Sequence, residues 1–241
     1  MGNKKSVLQK RVIKIKGALK FFYSAVCLRF TRLNQRWLLD RSQKLKIDRL
    51  HVGCGNILLR GWLNITFEPR EEYGIIRKKG EALWLNYNLL KKWPFVDRSI
   101  QFVAGSHCIE HLDLNGGIFF FKEAYRVMRE GGVLRISCPD LRTYAENYIK
   151  NNREFFDDPF IREACTFKNA LTPGEIFAAK AYDSGGAHKW FYDFDSLKHL
   201  MELAGFRRIE RTTRRAGNIP DIDQIEFSAR EIESVYVEAI K

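Results

Sequence analysis

The sequence predicts an α/β fold, doubly wound around a largely parallel sheet. Three observations predict it. From residue 49 onward, short apolar strands alternate with stretches of helical spacing, the pattern of βαβ units whose sheet is covered on both faces. The first strand ends in Gly53-Cys54-Gly55, where glycines let the backbone turn sharply and approach a ligand closely. Glycine, proline and cap-forming residues then punctuate the chain where strands and helices change over.

The elements follow in order. Leu8, Val12, Ile15, Leu19, Phe22, Val26, Phe30, Leu33 and Trp37 recur at helical steps, so residues 5–39 read as an amphipathic helix. Gly17 weakens its middle by about 1 kcal/mol. The polar stretch Asp40–Asp48 links it onward, dividing the chain into a basic arm and linker (1–46) and a main domain (47–241). Strands are expected at Arg49–Val52, Trp62–Phe67, Ala82–Leu85, Ile100–Gly105 and Val133–Ser137. Gly116–Met128 has helical spacing, with Gly131-Gly132 expected to stop it. Pro139-Asp140 opens the next helix. Asp193–Ala204 reads as a capped helix ended by Gly205, and Phe206–Arg211 and Ser234–Ile240 finish as strands.

The charge is unevenly placed. The chain of 241 residues carries a net +12, and residues 1–50 hold 14 Lys/Arg against 2 Asp/Glu, so the rest is balanced. The arm suits an interfacial helix on an anionic membrane, or packing on the main domain or on a second subunit of an oligomer. Its broad apolar face argues against a phosphate-tracking arm, so nucleic acid is not the expected partner. The apolar run Phe21–Leu28 is too short to span a bilayer. Cysteines at 27, 54, 108, 138 and 165 are odd in number and show no CxxC or Cys/His ligand spacing. Neither a disulfide framework nor a metal site is expected, and reduced thiols fit a cytoplasmic location.

A Gly-x-Gly turn alone is a weak signal. Here an acidic residue, Glu68, follows the second strand, where it suits the ribose hydroxyls of an adenosine ligand. Leu58 stands where a dinucleotide fingerprint has its third glycine, and no Gly-Lys-Ser/Thr is present for a triphosphate. A small adenosyl ligand without a pyrophosphate is preferred.

Several ordered motifs extend this reading. They are Leu50-His51-Val52-Gly53-Cys54-Gly55, Gly61-Trp62-Leu63-Asn64, Trp93-Pro94-Phe95-Val96-Asp97, Ile109-Glu110-His111-Leu112, Glu123-Ala124-Tyr125-Arg126-Val127-Met128 and Pro139-Asp140-Leu141. With them, residues 49–241 resemble class I S-adenosylmethionine (SAM)-dependent methyltransferases of the type 11 kind. His188-Lys189-Trp190-Phe191-Tyr192-Asp193 resembles the subgroup linked to bacterial surface polysaccharide synthesis. The resemblance implies a Rossmann-like seven-stranded sheet in the order 3-2-1-4-5-7-6, strand 7 being antiparallel. It implies that Gly53, Cys54 and Gly55 pass under the methionine part of SAM, that Glu68 binds the ribose, that Asn88 sits near the adenine amine, and that His107 lines the methionine pocket. Relatives commonly carry Asp where this chain has Thr66 and Asn88.

Methyl transfer from a sulfonium is an in-line displacement, and an acceptor hydroxyl also needs a base. His111, at the C-terminal rim of the fourth strand, and His188 are the catalytic candidates. Gly185-Gly186 resembles the hinge of a substrate lid, and Trp190, Phe191 and Tyr192 could stack on a sugar or anchor the loop. Asp140 is expected to cap a helix, and Cys138 to be a buried strand-end thiol. The expected function is O-methylation of a sugar, glycan or glycolipid precursor at the cytoplasmic membrane face. Methylation of a soluble metabolite and a catalytically silent scaffold are the alternatives.

Overall fold

The computed structural model describes residues 35–68, 71–182 and 187–241. Most of the expected N-terminal helix, and the Gly185-Gly186 hinge, lie outside these residues. The described part of that helix (α1, 35–44) runs past its expected end at 39, taking up much of the expected linker. Leu38 and Ser42 are buried, so this turn packs on the main domain.

Eight strands form one sheet: β1 (Arg49–Val52), β2 (Leu63–Thr66), β3 (Ile76–Lys79), β4 (Ala82–Asn86), β5 (Ile100–Ser106), β6 (Met128–Pro139), β7 (Arg208–Thr212) and β8 (Ser234–Ile240). Their order is β3-β4-β2-β1-β5-β6-β8-β7. All seven expected strands are present, and without β3 their order is the one the resemblance implied. β8 pairs antiparallel with both β6 and β7. β3 is an added antiparallel edge strand on β4. Its sequence, Ile76-Arg77-Lys78-Lys79, has a single buried apolar residue and exposed lysines, the charged composition of an edge that resists further pairing.

The central strands β1, β2 and β5 are largely buried, polar His51 and Asn64 included, because both faces are covered. α2 (Leu114–Val127) and α7 (Phe194–Ala204) pack on the sheet through Phe120, Phe121, Ala124, Leu197, Leu200 and Met201. Asp113 caps α2 by accepting from the Gly116 N–H at 2.7 Å. Asp193 and Ser196 form a reciprocal capping box on α7, and Gly205 ends it in the left-handed region at φ 115°.

The role expected of Gly131-Gly132 needs correction. α2 ends at Val127, and Met128 is already extended and paired with Ile100. The next ladder pair is Phe102 with Val133, so the glycines sit in the irregular stretch between. Gly131 adopts φ 71°, and a Cβ on Gly132 would stand 2.8 Å from the Arg129 carbonyl oxygen. They form a bulge rather than stop a helix.

Residues 141–181 build a helical lobe beside the C-terminal ends of the strands: α3 (Leu141–Ile149), α4 (Arg153–Asp157), α5 (Pro159–Ala164) and α6 (Pro173–Ala181). Tyr144, Phe155, Phe156, Ile161 and Ile176 form its own core. Asp140 caps α3 as expected, accepting from the Arg142 N–H at 3.0 Å, while its second oxygen accepts from Arg211 of β7. Among the described residues no helix is long and apolar enough to cross a membrane.

Candidate functional site

The Gly53–Gly55 loop leaves the end of β1 beside the end of β5. Gly53 has φ 65°, and a Cβ there would stand 2.2 Å from Cys108 Cβ, so only glycine fits. Gly55 has φ 51° and nothing within 4 Å of its Cβ position, so open space runs along the loop. The Cys54 N–H donates to the Ile65 carbonyl at 3.0 Å, tying the turn to β2. Burial pushes the Cys54 thiol up to about 12, with Lys79 and Glu68 pulling in opposite directions, so it stays a neutral thiol.

A cavity of about 270 Å³ opens above this loop, and Gly53, Cys54, Gly55, Ser106, His107 and Arg230 contribute to its lining. Three of the expected cofactor positions and His107 therefore meet in one place. Glu68 and Asn88 are not among its lining residues. Glu68 is exposed, close enough to Cys54 for its charge to act on the thiol. Its backbone is clamped by Asn86, whose side chain accepts from the Glu68 N–H at 2.9 Å and donates to its carbonyl at 2.8 Å. Asn88 commits its Oδ1 to the Leu90 N–H in a local turn, and its amide nitrogen has no acceptor among the described residues.

His107 stands at the tip of β5 with φ 51°, a left-handed conformation uncommon for a residue with a side chain. The Ser234 hydroxyl donates to the Arg230 carbonyl, so its oxygen accepts from His107 Nε2 at 2.8 Å. His107 Nδ1 faces Glu110 Oε1 at 3.4 Å. Burial works against the Glu110 carboxylate, but the hydrogen bond and charge of His107, with His111 adding, hold it below its ordinary value.

A second cavity, of about 430 Å³, adjoins the first, and His107 and Arg230 line both. His111 and His188, far apart in sequence, meet on its wall with ring centroids 5.0 Å apart in an edge-to-face arrangement. Backbone hydrogen bonds bring them together: the Lys189 and Trp190 N–H groups donate to the Glu110 carbonyl at 2.7 and 3.3 Å. The His188 Nδ1–H donates to the Lys180 carbonyl at 3.0 Å, which leaves Nε2 with the bare lone pair. Burial also lowers the proton affinity of His188, against the pull of Glu110.

The remaining expectations divide. Phe191 packs in the helical lobe and Tyr192 is fully buried, so these two anchor the loop, while Trp190 stays exposed. Cys138 is buried, and its thiol is pushed well up by burial, as suits a strand-end packing residue. The sequence reading missed Glu110, Lys180, Arg230 and Glu233. Lys180 on α6 pairs with Glu233 at 2.8 Å, and Glu233 also accepts from the Tyr144 hydroxyl at 2.6 Å. No motif marks these residues, because they converge from separate segments.

No family model and no curated protein matches the sequence. Among solved structures the chain is similar to a SAM-dependent methyltransferase of Thermotoga maritima, described as a possible histamine N-methyltransferase. The identity is 18%, covering 80% of this chain and 81% of that one, with a TM-score of 0.43. It is also similar to a SAM-dependent methyltransferase of Archaeoglobus fulgidus, at 16% identity over 86% and 94% of the two chains and a TM-score of 0.43. A third is phosphoethanolamine N-methyltransferase 2 of Haemonchus contortus in complex with SAM, at 12% identity over 80% of this chain and 48% of that one, with a TM-score of 0.44. None of these three likenesses reaches a TM-score of 0.5.

Proposed function

We propose that this chain is a SAM-dependent methyltransferase that methylates an oxygen of a sugar, glycan or glycolipid precursor. The observation that carries the reading is the shared wall of the two cavities. His107 and Arg230 line both the space over the glycine loop and the histidine-lined space beside it. A ligand in the first can thus present its reactive end to an acceptor in the second. The open room at Gly55, and a loop that excludes a side chain at Gly53, fit a small ligand lying against the backbone.

When bound, SAM supplies an electrophilic methyl group on a sulfonium. The residues of the chain hold it and prepare the acceptor. The Gly53–Gly55 backbone carries the methionine part, Glu68 holds the ribose, and Asn88 offers its amide nitrogen towards the adenine. Arg230 forms no ion pair among the described residues and lies half-buried between the cavities, so it is suited to the methionine carboxylate. His188, with Nε2 bare, and His111 beside it are suited to take the hydroxyl proton. The basic arm is suited by its charge to an anionic cytoplasmic membrane face.

Two measurements check this. Arg230→Ala should weaken S-adenosylhomocysteine binding by about 10- to 100-fold, the loss of a charge-assisted hydrogen bond of about 1.5–3 kcal/mol. Calorimetry showing unchanged affinity removes Arg230 from the cofactor site. Labelled methyl from SAM, incubated with fractionated extract, should appear in lipid-linked or polymeric glycan. Label only in soluble products favours a small-metabolite acceptor. Cofactor binding without any transfer favours a silent scaffold, and absence of S-adenosylhomocysteine binding at millimolar ligand sinks the proposal.

A further inference from the structure

We infer that Glu110, His111 and His188 form a binding site for one divalent transition-metal cation of the zinc class, set in the wall of the acceptor cavity. The inference deepens the reading of that cavity as the acceptor site and rests on it for its use. Cation binding itself needs no methyl transfer.

Each of the three residues offers one ligand atom, and these atoms lie within 4.8 Å of one another. Two imidazole nitrogens and one carboxylate oxygen make a borderline donor set, which first-row ions such as zinc prefer. Calcium and magnesium prefer oxygen alone. A histidine pair beside a glutamate could also be a plain charge contact, but two further features point to a ligand.

The first is Glu110 itself. Its side chain is 2% exposed, His107 stands at 3.4 Å from Oε1, and Oε2 has no hydrogen-bond partner among the described residues. A buried carboxylate oxygen left unsatisfied is costly and asks for a partner. The second is the order imposed on the donors before any ion arrives. The His188 Nδ1–H is fixed on the Lys180 carbonyl, leaving Nε2 bare. This is the outer-shell hydrogen bond that sets the tautomer of a metal-ligating imidazole. His107 plays the matching part for the carboxylate. The strand of backbone carrying His188 is bonded to the carbonyl of Glu110 through Lys189 and Trp190, so two ligands share one anchoring point.

His111 is exposed and His188 half-buried, so the site opens into the cavity. Three protein donors leave coordination positions vacant, the mark of a catalytic rather than a structural site. A cation there would orient an acceptor oxygen and lower its proton affinity. With the ion bound, the two imidazoles serve as ligands and act on the acceptor through it.

The test uses the full-length protein without an affinity tag, stripped with a chelator and titrated with Co2+. The readout is visible d–d absorption, and Zn2+ then competes for the site. Binding of S-adenosylhomocysteine is measured in parallel on every protein. We expect saturation at one Co2+ per chain and displacement by Zn2+. His111→Ala and His188→Ala, one at an exposed position and one on a loop, should each weaken cation binding by about 100-fold or more. Their S-adenosylhomocysteine affinity should stay near wild type. Glu110→Gln should lose the site as well. Wild-type protein that binds S-adenosylhomocysteine but no Co2+ or Zn2+ overturns the site and leaves the methyltransferase reading standing. Two histidine variants that bind the cations like wild type also overturn it. Cation binding without S-adenosylhomocysteine binding supports the site and removes the methyltransferase reading.

Discussion

Replacing Glu226 by Ala is expected to destabilise the protein by about 3–5 kcal/mol, because it strands a buried charge. Arg135 lies on β6 in the middle of the sheet and is 1% exposed. Its Nε donates to Glu226 Oε1 at 2.6 Å and its Nη2 to Oε2 at 3.1 Å, a bidentate pair. The guanidinium also donates to the carbonyls of Thr213 and Ala216 at 2.9 and 3.0 Å and to the Thr212 hydroxyl, and lies over the Tyr236 ring. Without Glu226 these neutral acceptors remain, but no anion balances the charge in a low-dielectric interior. The variant Arg135→Met with Glu226→Leu should recover most of the loss, since neither charge is then left behind.

The same pair has a functional side. Glu226 also accepts from the Arg215 N–H at 2.7 Å and so pins the loop between β7 and β8. On either side of it in the chain, Ile225, Phe227 and Arg230 line the cavity over the glycine loop. Glu226→Ala should therefore weaken S-adenosylhomocysteine binding as well as stability. Urea titration checks the first effect and calorimetry the second. A stability loss below about 1 kcal/mol, the range of an exposed pair, would show that water reaches Arg135.

Gly53→Ala should cost about 2–5 kcal/mol and abolish cofactor binding. One part is the left-handed backbone at φ 65°, which a residue with a Cβ holds at a cost of about 1–2 kcal/mol. The other is collision with Cys108 Cβ at 2.2 Å and Cys108 Sγ at 3.2 Å, an overpacking term of about 1–3 kcal/mol. Cys108 sits between β5 and the turn that carries Glu110 and His111, so relieving the clash shifts the histidine cluster too. Gly55→Ala is the control. It bears only the backbone term, because nothing lies within 4 Å of its Cβ position. Cys108→Gly in the Gly53→Ala background should restore stability in part. Equal stability losses at positions 53 and 55 would disprove the contact argument.

The legible parts of this fold are those with a period or a cap. Seven strands of apolar run or alternation, the capped α7 with Gly205 after it, and the cap at Asp140 follow from local chemistry. β3 escaped because an edge strand buries almost nothing: Ile76 is its one buried residue, and Arg77, Lys78 and Lys79 carry no apolar alternation. The lobe helices α4, α5 and α6 are five to nine residues long, too short for an apolar stripe to repeat. Only their caps at Asn152, Asp158 and Thr172 mark them. Gly131-Gly132 misled because a glycine pair after a helix resembles a stop signal, whereas here sheet pairing by Met128 had already ended the helix.

By itself the sequence determined the α/β class and the glycine turn after the first strand, and it offered His111 and His188 as candidates, because each is written in a few adjacent residues. Only the tertiary structure decided that His111 and His188 stand together, that Glu110 lies buried beside them with an oxygen that has no partner among the described residues, and that His107 and Arg230 join two cavities. Those facts come from long-range closure: backbone bonds from Lys189 and Trp190 to Glu110 draw one loop onto another. No local spacing encodes which loops the sheet order brings to the same edge.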